Sequence, residues 1–406
     1  MEELTTTNNP FTNLADDALK ELSYADILDG LANEAMQRPQ ETVNDFFKEI
    51  QSRRFEPIPT GLSNLDKALS GGFERKTLVT LAAAPGLGKT AFCQYMFENM
   101  ARNGQHVIYV NLEMDRSQLL SRSISRIVYE QNGSPYKVAS KTWEQTASEA
   151  IENEVTALTV RRGYTWNDKQ RVKIEKAVEE YQATIAPRFL YVTANPENEG
   201  HITNKITSIL GKLRSITEAL LKAGRPAPLV CIDYLQYVDF DDYDNNRERK
   251  PDTAESIKRT LTEFKEFAMQ YSTVVLMIMA NNRTSNKEGR ASMDSGRDTS
   301  NIEYTGDTML SLTYTAVEDQ WKHPKYKNNG DIDKWEAIDN DYINNCIDYS
   351  NDSYGNTPAI AKRLCIKVVK GRGFAPRKSA RFIYEGKYAS FTEDPDPIEH
   401  GKEYYT

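Results

Sequence analysis

Between an apolar run and a helical stretch the chain reads Ala83-Ala84-Pro85-Gly86-Leu87-Gly88-Lys89-Thr90. No other segment restricts the fold as strongly. Leu78–Ala83 is a compact apolar run that predicts a strand, and Ala91–Asn103 predicts a helix. A strand, a glycine-containing turn and a helix opened by Gly-Lys-Thr form the context of a phosphate-binding loop. Glycines at 86 and 88 let the backbone curl so that its N–H groups face phosphate oxygens, and the helix N-terminus adds its positive end. The candidate phosphate-binding residues are Ala84, Pro85, Gly86, Leu87, Gly88, Lys89, Thr90 and Ala91. Lys89 has the reach for the β- and γ-phosphates, and the Thr90 hydroxyl suits a Mg²⁺ ion. Ala83 stands where the usual pattern has its first glycine.

Further strands are predicted at Val107–Leu112, Phe189–Thr193, Leu229–Tyr234, Val274–Ala280 and Met309–Thr313. Helices alternate with them at Arg116–Glu130, Ile202–Ala223 and Ser256–Met269. That alternation predicts an α/β fold with a mostly parallel central sheet flanked by helices. Leu364–Val369 and Ala380–Tyr384 read as a hairpin closed by Lys387–Phe391. Residues 131–187 are polar and read as helical, while 317–360 read as a surface insertion. Residues 1–56 form a helical extension, with apolar spacing over 14–36 and a second helix begun by a Thr42/Asp45 capping box. It is either packed on its own domain or an arm that docks on a neighbouring subunit. The α/β unit with the phosphate-binding loop runs over 57–395, and 396–406 is a tail.

Two carboxylates stand out against this frame. In Pro228-Leu-Val-Cys-Ile-Asp, an apolar strand delivers Asp233 at its C-terminal tip, where it can join the Mg²⁺ shell directly or through water. Val110-Asn111-Leu112-Glu113 ends the strand that follows the first helix, and a carboxylate there can polarise an attacking water. Asp115 with Gln118 already fills the helix-start role, which leaves Glu113 for chemistry.

Composition narrows the partners. With 51 Lys+Arg against 59 Asp+Glu the net charge is −8, which excludes a uniformly basic nucleic-acid binder but not a local basic track. One such track runs from Lys362 to Arg381 with no acid in it. No apolar run approaches the roughly 18–20 residues that cross a bilayer, and the N-terminus has no secretory pattern. Cys93, Cys231, Cys346 and Cys365 lie far apart without a CxxC pair, which suits reduced thiols in a cytoplasmic protein and disfavours zinc.

The stretches TGLSNLDKALSGGF, AAAPGLGKTAF, VNLEMDRSQLLSRSISR, LVCIDYLQYV, DSGRDTSNIEYTGD and IKVVKGRGFAPRKSARF resemble, in order, the ATPase domain of DnaB-type replicative helicases. The family belongs to the RecA-like P-loop class, and the likeness spans about residues 58–391, closest to the shorter versions carried by phages and mobile elements. The resemblance implies Glu113 as catalytic base and Ala83 as an ordinary family variant. It implies a Lys-x-Arg finger, here Lys370-Gly-Arg372, that enters the neighbouring subunit's nucleotide site, and hence a ring or filament. It places a polar sensor at Asn281 or Asn282. It also places DNA-contacting loops at Asp239–Thr253 and Gly289–Thr305, with Arg247, Arg249, Lys250, Arg297 and Asn301 as candidate contacts. The acids Asp239, Asp241, Asp242 and Asp244 in the first loop oppose that role. The family's large primase-recruiting N-terminal domain is expected to be absent, with the helical extension in its place.

The leading expectation is an ATP- and Mg²⁺-dependent DNA helicase of phage or mobile-element replication. It acts on single-stranded DNA as a homo-oligomeric, hexameric ring, with a loader or primase as a further partner. Two alternatives stand beside it: a RecA-class recombination or repair ATPase forming an open filament, and a non-motor, ATP-gated assembly or defence component.

Overall fold

The structure is a computed structural model, which describes residues 43–44, 47–48, 56–83, 85–132, 152–194, 202–239, 253–280, 305–315, 347–349, 360–371 and 378–394. The chain divides into two compact units, Met1–Glu56 and Pro57–Thr406. In the first, residues 43–44 and 47–48 are helical and Val43 and Phe47 are exposed. The helix expected over 14–36 and the Thr42/Asp45 capping box lie outside the described residues, as does the tail at 396–406.

The second unit opens with helix α1 (Ser63–Ala68). Asp66 closes the turn before it by accepting from the Thr60 backbone N–H and the Thr60 hydroxyl, both at 2.7 Å. Then follow β1 (Thr77–Ala83), α2 (Lys89–Arg102), β2 (Val107–Asn111) and α3 (Arg116–Asn132). The polar stretch after α3 contains α4 (Ala157–Arg161) and α5 (Asp168–Thr184), helical as its composition suggested. The order continues with β3 (Phe189–Thr193), α6 (Ile206–Lys222), β4 (Leu229–Asp233), α7 (Thr253–Gln270), β5 (Val274–Ala280) and β6 (Thr308–Tyr314). It ends with β7 (Ile347–Tyr349), β8 (Ile360–Lys370), β9 (Ser379–Glu385) and β10 (Ser390–Glu393).

These strands form one ten-stranded sheet in the order β10-β9-β8-β6-β1-β5-β4-β2-β3, with β7 paired to β8. From β6 to β3 all pairs are parallel, and from β6 through β8 and β9 to β10 they are antiparallel. The sequence explains the division. β2 and β4 are buried at every position, as strands covered on both faces must be, whereas β9 alternates buried and half-buried residues.

Successive side chains leave opposite faces and build two cores. Val79, Leu81, Ala83 and Tyr109 join Phe92, Met96 and Phe97 of α2 and the hairpin residues Leu364, Ile366, Val368, Phe382 and Phe391. Leu78, Ile108, Val110, Val230 and Ile232 face Leu210 and Leu213 of α6 and Phe264 and Phe267 of α7. The P-loop helix is thereby clamped between the parallel sheet and the antiparallel hairpin, with Phe92 edge-on to both Phe382 (5.3 Å) and Phe391 (5.2 Å).

A buried ion pair ties α2 to α3. Arg126 (2% exposed) bonds Glu98 (0% exposed), and Glu98 also accepts from Ser123 at 2.5 Å and Tyr191 at 3.1 Å. Removing one partner of such a pair leaves a charge in the core, at a cost of about 3–5 kcal/mol. Arg126→Ala is therefore expected to lose about that much in urea unfolding. The double variant Glu98→Leu/Arg126→Met should recover most of it. Additive losses in the double variant would contradict the burial argument.

Candidate nucleotide site

The parallel strands deliver their C-terminal ends to one edge of the sheet, where ligands of such folds gather. At the end of β1, the chain passes through Gly86 (φ 79°) and Gly88 (φ 85°) into α2. Both angles lie in the left-handed region that glycine tolerates. At Gly88 the space is closed as well, because a Cβ would stand 2.8 Å from Cε1 of Tyr384. Gly88 is also the helix N-cap and offers no side-chain acceptor to the first turn. That turn holds no acidic residue of its own, so the positive end of the helix meets the loop without a counter-charge from within the helix. Leu87 is buried in the apolar core, so its contribution to the loop is its backbone.

Lys89 is half-buried and donates to the Ala83 carbonyl at 3.1 Å across the loop. Burial lowers its pKa below the usual lysine value, while Asp233 and Glu113 pull it back up. Asp233 is 1% exposed at the tip of β4. Its register partner is Asn111 at the tip of β2. The Asp233 carboxylate accepts from the Tyr109 hydroxyl at 3.1 Å and Asn111 Nδ2 at 3.3 Å, and it is hydrogen-bonded by the Thr90 side chain. Burial pushes its pKa up to about 6, the hydrogen bonds from Thr90 and Tyr109 hold it down, Glu113 raises it and Lys89 lowers it. The carboxylate form therefore still predominates at neutral pH.

Glu113 is exposed just past β2, close enough to Lys89, Asp233 and Tyr234 to influence their charge. Asn111 fixes its backbone: Asn111 Oδ1 accepts from Glu113 N at 3.2 Å and Met114 N at 2.5 Å. Asp115 N is taken by the Gln118 side chain at 3.1 Å, the helix-start role expected of that pair. Tyr109 and Asn111 carry weight that the sequence reading did not assign. An Asn at the end of an apolar strand, two and three residues before the N–H groups it holds, was the available signal; Tyr109 offered none.

The residues present fit a nucleotide and a hard cation. Thr90 and Asp233 already touch and offer hydroxyl and carboxylate oxygens, the donor type Mg²⁺ takes alongside phosphates and water. Among the described residues no cluster of three His, Cys, Asp or Glu could hold a metal alone.

The structure thus brings together Pro85 through Ala91, Glu113 and Asp233. Lys370 lies elsewhere. It donates to the Gly306 carbonyl at 2.8 Å, and its strand partner is Met309 near the start of β6. β6 runs parallel to β1, so this is the half of the sheet away from the P-loop end. Ala84, Asn281, Asn282, Arg372 and the candidate DNA contacts Arg247, Arg249, Lys250, Arg297 and Asn301 lie outside the described residues. Among the described residues no helix is long and apolar enough to cross a membrane.

Comparison with known proteins agrees with this geometry. Residues 57–184 match the family model of the DnaB-like helicase C terminal domain. A probable replicative DNA helicase of Trieres chinensis is 23% identical over 297 residues, which cover 71% of this chain and 54% of that protein. The chain thus spans about half the length of that relative. A solved ATPase domain superposes with a TM-score of 0.58 at 17% identity, covering 88% of this chain and 99% of that one. A DnaB-like replicative helicase, solved in a study of its interactions with primase, gives a TM-score of 0.57 at 17% identity over 90% of this chain and 70% of that one. The sheet, the P-loop edge and the match at 57–184 agree: over those residues the chain is similar to the DnaB-like helicase C terminal domain, and its fold is that of the solved ATPase domain.

Proposed function

We propose that this chain is the ATPase of a replicative DNA helicase, hydrolysing ATP with Mg²⁺ to drive movement along single-stranded DNA as a ring of six copies. The observation that carries the reading is the meeting of Lys89, Thr90, Asp233 and Glu113 at one sheet edge around a P-loop.

Each residue has a task that its surroundings suit. The loop amides and the α2 N-terminus hold the triphosphate. Lys89 neutralises the β/γ-phosphate oxygens; burial beside two carboxylates keeps it aimed at the loop. Thr90 and Asp233 supply oxygen ligands, and Mg²⁺ held there would neutralise charge that develops on the phosphates. Glu113, exposed and with its backbone pinned by Asn111, takes the proton of the attacking water. Arg372, with Lys370, serves the neighbour's nucleotide. The cis position of Lys370, away from its own loop, supports this, and so does the need for charge neutralisation at the transferred phosphoryl, worth about 10³–10⁵ in rate where an arginine finger supplies it.

DNA contacts are assigned to the two loops at 239–253 and 289–305, with Arg247, Arg249, Lys250, Arg297 and Asn301 following the backbone without reading sequence. Further copies of the chain are the first protein partner; a loader or primase is the second. The short form used by phages and mobile elements is the proposed source.

Two outcomes test the chemistry. Lys89→Ala should abolish measurable ATP binding by fluorescent nucleotide titration. Glu113→Gln should keep binding while hydrolysis falls about 10²–10⁴-fold; intact hydrolysis in either variant refutes the site. A third test addresses the subunit boundary. Rings mixed from Arg372→Ala and Glu113→Gln copies should regain hydrolysis that neither variant has alone. Stable mixed rings without recovery would show that Arg372 does not act across the seam.

A further inference from the structure

The hairpin that closes the sheet reaches back over the P-loop of its own chain. In β8, Leu364, Ile366 and Val368 are buried against the α2 side of the sheet. By the two-residue period of a strand, Lys362 leaves the same face. It stands one step beyond the last of these apolar residues, where β8 has run past the end of β1: Leu364 pairs with Tyr314, while Ala83 pairs with Leu312. Its ammonium therefore emerges over the loop, and Lys362 Nζ donates to the Gly86 carbonyl at 3.0 Å.

Two features make this contact more than a surface bond. Lys362 is held by pairing on both sides, with Ile347 of β7 and Tyr384 of β9. A side chain based on a paired strand is placed more accurately than one on a loop. Gly86 is the opposite case. It is exposed, at φ 79°, and nothing lies within 4 Å of the point where a Cβ would stand. A glycine with open space around it has the most conformational freedom to lose on ordering. Two residues on, Gly88 is packed under the ring of Tyr384, the cross-strand neighbour of Lys362. One rung of the hairpin thus touches the loop at both of its glycines.

We propose that Lys362 is a positioning residue for the triphosphate, acting in cis through the Gly86 peptide. The peptide unit is planar and trans, so its C=O and the N–H of Leu87 point in opposite directions. A cation on the outer carbonyl fixes the plane, turns that N–H toward the phosphate side and, as a charge-assisted bond, strengthens it as a donor. Lys362 bonds the loop backbone, so its contribution is to nucleotide affinity, not to the chemical step. This inference rests on the P-loop reading above, and the control separates the two.

The experiment uses the full chain. ATP turnover is measured for wild type, Lys362→Ala, Lys362→Met, which keeps the apolar stem, and Lys362→Arg, with inorganic tripolyphosphate as competitor and Lys89→Ala as control. The expected result is a KM for ATP and an inhibition constant for tripolyphosphate both raised about tenfold in Lys362→Ala and Lys362→Met. kcat stays within about twofold, and Lys362→Arg restores most of the affinity. Unchanged KM and tripolyphosphate inhibition in Lys362→Met, or a fall in kcat at constant KM, overturns the proposal while leaving the nucleotide site intact. Full nucleotide affinity in Lys89→Ala would instead remove the site on which it rests.

Discussion

A carboxyl group shut away from water sets the layout of the nucleotide edge. Asp233 is 1% exposed, and a carboxylate so placed is tolerated only where donors surround it. Tyr109 reaches it from the neighbouring strand, Asn111 from the end of that strand, and Thr90 from the first turn of α2. Satisfying this one group therefore fixes β2, β4 and the P-loop helix against one another. Asn111 is shared: its amide nitrogen serves Asp233 while its oxygen holds the backbone of Glu113. The acid suited to metal binding and the acid suited to proton transfer are thus positioned by the same side chain.

Two carboxylates in one site need different environments to have different roles. Asp233 is buried, and its pKa rises to about 6 despite its hydrogen bonds. Glu113 is exposed, with its backbone N–H held by Asn111. Lys89 feels both charges, with its own pKa lowered by burial. The arrangement sets a buried, hydrogen-bonded carboxylate and an exposed one within one edge of the sheet.

Most of the fold could be read from the chain because its central strands are short, mostly apolar and separated by helical stretches. β3 and β5 fall where the apolar runs predicted. The differences have local causes. α2 starts at Lys89 rather than Ala91, because the polar Lys-Thr pair opens the helix and hides its beginning from an apolar count. α6 starts at Ile206 rather than Ile202; Ile202 is buried, but in an incoming segment whose N–H bonds to Thr193. The closing strand is Ser390–Glu393, because Lys387 to Ala389 form the turn that the apolar Tyr388 disguised. β7 lies in a polar stretch read as a surface insertion and becomes a strand only through its partner β8. At the site, the P-loop, Asp233 and Glu113 were legible from local pattern. Tyr109, Tyr384 and Lys362 were not, because their significance comes from neighbours far away in sequence.

The strand β8 also acts as a ruler. Lys362 stands at the P-loop of its own chain and Lys370 at the other end, about 27 Å along at ~3.4 Å per residue. Lys362 is set by its pairs with β7 and β9, and Lys370 by its pair with β6 beyond a register shift at Met309/Leu310. A slip by one rung would turn both lysines to the opposite face and expose Leu364, Ile366 and Val368 in the same movement. The apolar cost of that exposure guards the calibration, so the spacing between the two cations is inherited from the core rather than maintained at the surface.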